Sequence, residues 1–493
     1  MAKHGGIIAM SKTMPSPPRE CDLLIVGGGI NGAGIARDAT GRGLSVVLCE
    51  QDALAAHTSS ASTKLIHGGL RYLEHYEFGL VRKALREREV LMRIAPHVIH
   101  PLRFVMPHDR GQRPGWLIRL GLFLYDHLAR RELLPASAAV DLRRHAAGLP
   151  LKPMFERGFA YSDAAVDDRR LVELNALDAR EKGAAIFTHT RCTSTERHGN
   201  HWLATLHDTR NEAQSFTVKA RMLVNATGPW AAGFLHDVAH AGARQSLRLV
   251  KGSHIVVRKL FDHEDAYIFQ HPDGRIVFAI PYRDDTTLIG TTDVEYHGDP
   301  ATVAITDDEI DYLCALINRY FRQAIDRHDV IASFSGVRPL VNDEAHQRDT
   351  ASAATRDYRL ALDTEGAPLL TVFGGKLTTY RKLAEEAVDR LASHLDNRHG
   401  HWTADACLPG GDLFGARPDN RNVLGFAEFV AQMQARYDWL PPTLVERYVH
   451  RYGTRIHVLL AGRQSMQELG IETAPGVFAA ETDYLVRHEF GQY

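Results

Sequence analysis

Residues 22–50, DLLIVGGGINGAGIARDATGRGLSVVLCE, decide the fold of this chain. The apolar run Leu23, Leu24, Ile25, Val26 reads as a buried parallel strand. A glycine turn follows, with Gly27, Gly29 and Gly32 in the Gly-x-Gly-x-x-Gly spacing and Gly28 and Gly34 beside them. It opens a helical stretch through Ile35, Ala36 and Ala39. A second apolar run, from Ser45 to Cys49, ends in Glu50. Strand, turn, helix, strand and an acid about twenty residues on are the parts of a dinucleotide-binding βαβ unit. Glycine allows the sharp turn and the approach of a pyrophosphate. The helix N-terminus offers unpaired N–H groups and a positive dipole to it. Glu50 is placed to accept hydrogen bonds from a ribose.

Outward from that unit, the 493 residues can bury more than one core, so two or three domains are expected. A formal charge of −2 gives no field that would attract nucleic acid. The five cysteines (Cys21, Cys49, Cys192, Cys314, Cys407) are scattered, without a C-x-x-C pair. That argues against a disulfide framework, a zinc site or an iron–sulfur cluster, and for a reducing compartment. No apolar run reaches the roughly 18 residues of a spanning helix. Residues 1–20 read as a flexible leader, with no signal-peptide core.

Further along, Thr58, Ser59 and Ser60 begin a loop rich in small hydroxyl residues. Lys64 closes it, and IHGGLRYLE follows from Ile66. A helix is expected from Phe78 to about Ala95, ended by Pro96. WLIRLGLFLYDHL, residues 116–128, is a helix apolar almost all round, with Arg119 and Asp126 on a narrow polar stripe. Such a helix is usually buried in protein; with Arg130 and Arg131 next to it, a membrane interface is the alternative. Strands dominate from Ser253 to Thr291 and predict an antiparallel sheet. A helix is expected over 306–321 and another over 378–395. Residues 402–409 read as a linker, and the rest reads as mostly helical.

TSSASTKLIHGGLRYLE (58–74), VNATGPW (224–230), KGSHIVV (251–257), IGTTDVEY (289–296), SGVRPL (335–340) and VFGGKLTTYRKLAE (372–385) follow the glycine motif in this order. Together they closely resemble the FAD-dependent, respiratory glycerol-3-phosphate dehydrogenases of bacteria, over residues 22–403 and more loosely beyond. The leader is longer than in that family and the C-terminal module shorter. The resemblance implies oxidation of sn-glycerol 3-phosphate to dihydroxyacetone phosphate on non-covalent FAD. It also implies transfer of the electrons to membrane quinone, and a cytoplasmic protein peripheral on the inner face of the membrane, in which a homodimer is possible. The expected fold is α/β plus α+β: a Rossmann-like FAD-binding domain (21–100, 156–240, 330–400) interleaved with an antiparallel-sheet substrate domain (101–155, 241–329), then a helical domain (401–493).

By the same resemblance, cofactor contacts are expected from Gly27, Gly29, Gly32, Glu50, Thr58, Ser59, Ser60, Lys64, His67, Gly68, Ala226, Thr227, Gly228, Gly374, Gly375, Lys376, Leu377 and Thr378. Gly375 and Lys376, at a strand end, would face the flavin carbonyl where negative charge appears on reduction. A phosphate dianion in a dry cleft calls for guanidinium groups. Arg71, Arg356 and Lys376 are nominated for it, with Tyr72 as a hydroxyl donor. Arg338 is nominated to face the substrate oxygen. His254, whose ordinary pKa lies near neutral, is the candidate base, with His67 as its competitor. No metal is expected. An oxygen-reducing glycerol-3-phosphate oxidase, a hydroxy-acid or amino-acid oxidase, and a flavin-binding scaffold without turnover are the alternatives.

Overall fold

The apolar run at 23–26 sits in the middle of the first sheet. Strand β1 (Glu20–Val26) pairs in parallel with β2 (Val46–Cys49) on one side and with Ser215–Asn225 on the other. Ala185–Phe187 and Leu369–Phe373 extend the parallel sheet, and Arg359–Asp363 closes one edge antiparallel. A parallel sheet must be covered on both faces, and β1 shows how. Leu23 and Ile25 enter the core shared with helix α1 (Ile30–Gly41), whereas Leu24 and Val26 enter the opposite core. Beside α1 lie α2 (Phe78–Ile94), α4 (Asp168–Glu181) and the helix Tyr380–Ala392. Buried ion pairs set their registers: Arg37 with Asp178 at 2.6 Å, and Arg381 with Glu87 at 2.6 Å. A computed structural model describes residues 18–491 apart from 110, 212, 243–246, 271–274, 284, 342–356, 396 and 398.

The second sheet has ten strands, mostly antiparallel, and the helix Asp307–Tyr320 covers its outer face. Its boundary differs from the sequence reading. Arg157–Val166 and Val330–Val341 were expected with the FAD-binding pieces, and both pair in this sheet instead. Arg157–Val166 is buried on both faces, so it looks like a parallel core strand although its partners are antiparallel. The expected linker also differs. The indole of Trp402 donates to the carbonyl of Asp38 at 3.1 Å and packs against Gly41, so this stretch is fastened to α1. The C-terminal part has its own core, built by helices such as Phe426–Arg436, Pro442–Tyr452 and Ala479–His488. Arg170 of α4 holds it to the rest through Glu489 at 2.5 Å.

Helix α3 (Gly115–His127) is neither core nor polar surface. Leu122 and Tyr125 point inward and are buried. Trp116, Leu117, Leu120 and Phe123 point outward, Trp116 being 69% and Phe123 53% exposed. Each large apolar side chain left in water forgoes about 1.5–3 kcal/mol of burial, so such a cluster marks a surface that meets something. The expectation of a helix buried in the protein is thereby corrected. No helix among the described residues is long and apolar enough to cross a membrane.

Candidate functional site

The β1–α1 turn is built as its glycines dictate. Gly27 holds φ +111, a conformation that strains any side chain, and a Cβ there would lie 2.5 Å from the carbonyl oxygen of Ala226. A Cβ on Gly32 would lie 1.9 Å from the Gly27 carbonyl oxygen, so only glycine lets α1 pack onto its own turn. Glu50, at the end of β2, accepts from the Gly28 N–H at 2.7 Å and from the Asp52 N–H at 3.0 Å. Burial raises its pKa, and these two backbone N–H groups work against that rise. Ser59 accepts from the Ile30 N–H at 3.0 Å, at the mouth of the helix. The turn at 226–228 follows the neighbouring parallel strand, with the Ala226 N–H bonded to the Val26 carbonyl at 2.9 Å.

These turns open into a cavity of about 510 Å³ that runs to the second sheet. Gly374 and Gly375 (φ +74 and +101), then Lys376, also line it, as do His67 and the stretch from Gly69 to Tyr72. The two sides are joined where the Thr378 hydroxyl meets the His67 N–H at 3.2 Å and the His67 carbonyl at 3.3 Å. The Lys376 ammonium lies 4.0 Å from the centre of the Tyr72 ring. Arg71 lines the cavity with no hydrogen bond or ion pair to any described residue. Arg338 is held differently: Nη1 is 3.0 Å from Asp293 Oδ1, and Nη2 donates to the Thr292 carbonyl at 3.0 Å. His254 is buried against the Phe334 ring at 4.8 Å, with Nε2 3.0 Å from the Thr63 hydroxyl. Its Nδ1 has no hydrogen-bond partner among the described residues. Burial, and then the charges of Arg338 and Lys64, push its pKa down to about 3. The near-neutral value expected from sequence is displaced chiefly by burial, and the site's cations add to it.

Most of the nominated residues meet in this one cavity. Gly27, Gly29, Glu50, Thr58, Ser59, His67, Arg71, Tyr72, Ala226, Thr227, Gly228, His254, Arg338, Gly374, Gly375, Lys376, Leu377 and Thr378 all line it. Four of the nominated cofactor contacts do not. Gly32 lies within α1. Ser60 turns its hydroxyl to the His57 carbonyl at 3.4 Å. Lys64 binds Asp168 at 2.8 Å and the Ser60 carbonyl at 3.0 Å, so its charge fastens the loop. Gly68 lies under Tyr125, whose hydroxyl its Cβ would approach to 2.5 Å. Arg356 lies outside the described residues. Asp163, Asp293 and Arg275 also line the cavity and were not nominated. Asp293 stands in IGTTDVEY, so the motif marked the segment without marking the acid. Among the described residues no cluster could hold a metal ion.

The cradle suits FAD. The glycines leave room where a Cβ would collide, Glu50 lines the cavity at the end of β2, and the cavity continues past them to Arg71 and Lys376. A two-sheet flavoprotein oxidoreductase is the class that this geometry defines. The model of the FAD dependent oxidoreductase family matches residues 22–381, and the chain belongs to that family. It is 53% identical to a glycerol-3-phosphate dehydrogenase of Pseudomonas aeruginosa, over 96% of this chain and 89% of the relative. It is 49% identical to a D-erythritol 1-phosphate dehydrogenase of Brucella abortus, over 96% and 92%. Among solved structures it resembles the glycerol-3-phosphate dehydrogenase from Bacillus halodurans complexed with FAD. That match has TM-score 0.73 and 27% identity, over 95% of this chain and 86% of that one.

Proposed function

We propose that this enzyme oxidises sn-glycerol 3-phosphate to dihydroxyacetone phosphate, with the electrons going on to a membrane quinone. The observation that carries the substrate reading is the cationic end of the cavity, above all Arg71, which points a guanidinium into it without an ion-pair partner among the described residues. A guanidinium that lines a cavity without a carboxylate partner suits an oxyanion, which it can bind bidentately. Arg71, Lys376 and Tyr72 hold the phosphate; Arg356, also nominated for it from the sequence, lies outside the described residues. Non-covalently bound FAD supplies the hydride acceptor, which no protein side chain can provide. Arg338, fixed by Asp293 and Thr292, faces the carbinol oxygen and favours its negative charge as the proton leaves. His254 takes that proton. Burial and the nearby cations keep it neutral at physiological pH, so its imidazole is free to accept a proton.

Quinone lives in the bilayer, so the protein docks on its surface. The outer face of α3, with Trp116 and Phe123 at the surface, is the docking element, and Arg119 and Arg130 flank it for anionic lipid. A second substrate reading has a specific support: a relative nearly as similar is named for D-erythritol 1-phosphate. Turnover with sn-glycerol 3-phosphate, D-erythritol 1-phosphate and glycerol, measured with a soluble dye, separates the readings. The highest kcat/KM is expected for glycerol 3-phosphate and the lowest for glycerol. A preference for the four-carbon phosphate would transfer the assignment to it, and equal turnover of glycerol would remove the phosphate site.

A further inference from the structure

Beneath the turn that delivers Arg71 and Tyr72 lies a buried polar cluster that the chemistry above does not use. The Gly68 N–H donates to the Tyr125 hydroxyl at 2.8 Å and to Asp163 Oδ1 at 3.2 Å. Tyr125 in turn donates to the Asp163 carboxylate at 2.7 Å. Arg88 of α2 completes the cluster, with Nη1 2.6 Å from Asp163 Oδ1 and 2.9 Å from the Ser162 carbonyl. The three residues are 2–3% exposed. Burial keeps the Tyr125 phenol well above its ordinary pKa, so it remains a donor to the carboxylate.

A buried ion pair of this kind is often no more stabilising than apolar packing of the same volume, so stability does not account for it. What it fixes is a direction. Gly69 follows in the left-handed region at φ +76, and a Cβ on it would stand 2.2 Å from the Tyr72 ring. The ring therefore lies on the turn, and rotating the Gly68 peptide would swing Tyr72 and Arg71 together. The 3₁₀ helix Leu70–His75 begins directly from it.

We propose that Tyr125 and Asp163 are positioning residues for the phosphate end of the cavity. They hold the Gly68 N–H, and through that peptide the angle at which Arg71 and Tyr72 enter. The proposal rests on the reading that Arg71 and Tyr72 bind phosphate. It also assigns α3 two faces with different tasks, since Tyr125 is on the inner face of the helix whose outer face is apolar.

The test uses the FAD-loaded enzyme with Tyr125→Phe and, in parallel, Arg71→Ala. Four quantities are measured: inhibition by inorganic phosphate, kcat and KM for glycerol 3-phosphate, bound FAD and the thermal midpoint. Losing the hydroxyl that accepts from the Gly68 N–H and donates to Asp163 should weaken phosphate inhibition and raise KM by about 3- to 10-fold, with kcat within about twofold and FAD retained. A midpoint that falls while the phosphate constant stays at the wild-type value would overturn the positioning role. Asp163→Asn, which keeps the side-chain shape, carries the same expectation if Tyr125→Phe does not fold. Should Arg71→Ala weaken phosphate and neither positioning variant do so, the proposal fails and the phosphate reading stands. Should Arg71→Ala leave phosphate inhibition unchanged, the phosphate reading falls and takes this proposal with it.

Discussion

Replacing Arg338 with alanine should cost this enzyme more than the loss of one contact. The guanidinium is tied down on one side by Asp293 at 3.0 Å and by the Thr292 carbonyl at 3.0 Å, and a Cβ on Gly252 would lie 2.2 Å from Nη2. Its position is thus set by the protein before substrate arrives. Removing a charge-assisted contact to a substrate oxyanion costs about 2–4 kcal/mol, which is roughly 30- to 1000-fold in kcat/KM. With the side chain 34% exposed, water shares in the stabilisation and the lower half of that range is expected. Arg338→Ala also takes the cation away from Asp293 and leaves that carboxylate facing an anionic substrate. The double variant Arg338→Ala/Asp293→Ala should therefore recover about tenfold, a coupling expected of residues in contact. Anaerobic flavin reduction, followed by stopped-flow absorbance over a range of glycerol 3-phosphate concentrations, reads both effects. FAD content should match wild type in every variant. A kcat/KM for Arg338→Ala within about threefold of wild type would refute the placement of Arg338 at the reacting oxygen.

Gly32→Ala places a methyl 1.9 Å from the Gly27 carbonyl, so α1 must lift from its turn; the purified variant should carry little FAD, and full occupancy would contradict the cradle. Leu120→Ser/Phe123→Ser alters only the outer face of α3, so the thermal midpoint and dye-linked activity should persist while cosedimentation with anionic-lipid vesicles is lost; unchanged cosedimentation would place docking elsewhere. Burial is the chief cause that holds the imidazoles of His97 and His254 down at about 3, against an ordinary value near 6.5. Between those limits the unfolded chain binds more protons, so stability is retained above about pH 6.5 and falls as pH is lowered, by up to about 1.4 kcal/mol per pH unit for each proton. Urea unfolding across that window should show the decline, and His97→Gln should reduce its slope by up to one proton; an unchanged slope would mean that His97 is not held neutral.

The parts of this fold that depend on local sequence were legible in it. The glycine turn, Glu50 and the apolar strands around them follow from spacing alone, because each demands a residue type at a fixed offset. The helix at 116–128 was legible as a helix but not as a surface. Its side chains are apolar on nearly every side, and only the packing of Leu122 and Tyr125 shows which face turns inward. Strand pairing was the least legible. Arg157–Val166 crosses from one expected domain to the other because register depends on partners distant in sequence. In the site, Lys64 looked like a cofactor contact since it sits in a motif, yet Asp168, more than a hundred residues on, claims its charge. His254 was visible as a candidate base. Its depressed pKa was not, since burial and Arg338 set it and both arise only on folding.

If a phosphorylated secondary alcohol is oxidised in this cavity, anaerobic titration of the purified FAD-loaded enzyme will show it without any other acceptor. Adding sn-glycerol 3-phosphate should bleach the flavin's visible absorbance. Dihydroxyacetone phosphate should appear in an amount equal to the flavin reduced. A flavin that stays oxidised in excess glycerol 3-phosphate, while remaining reducible by dithionite, would contradict the account.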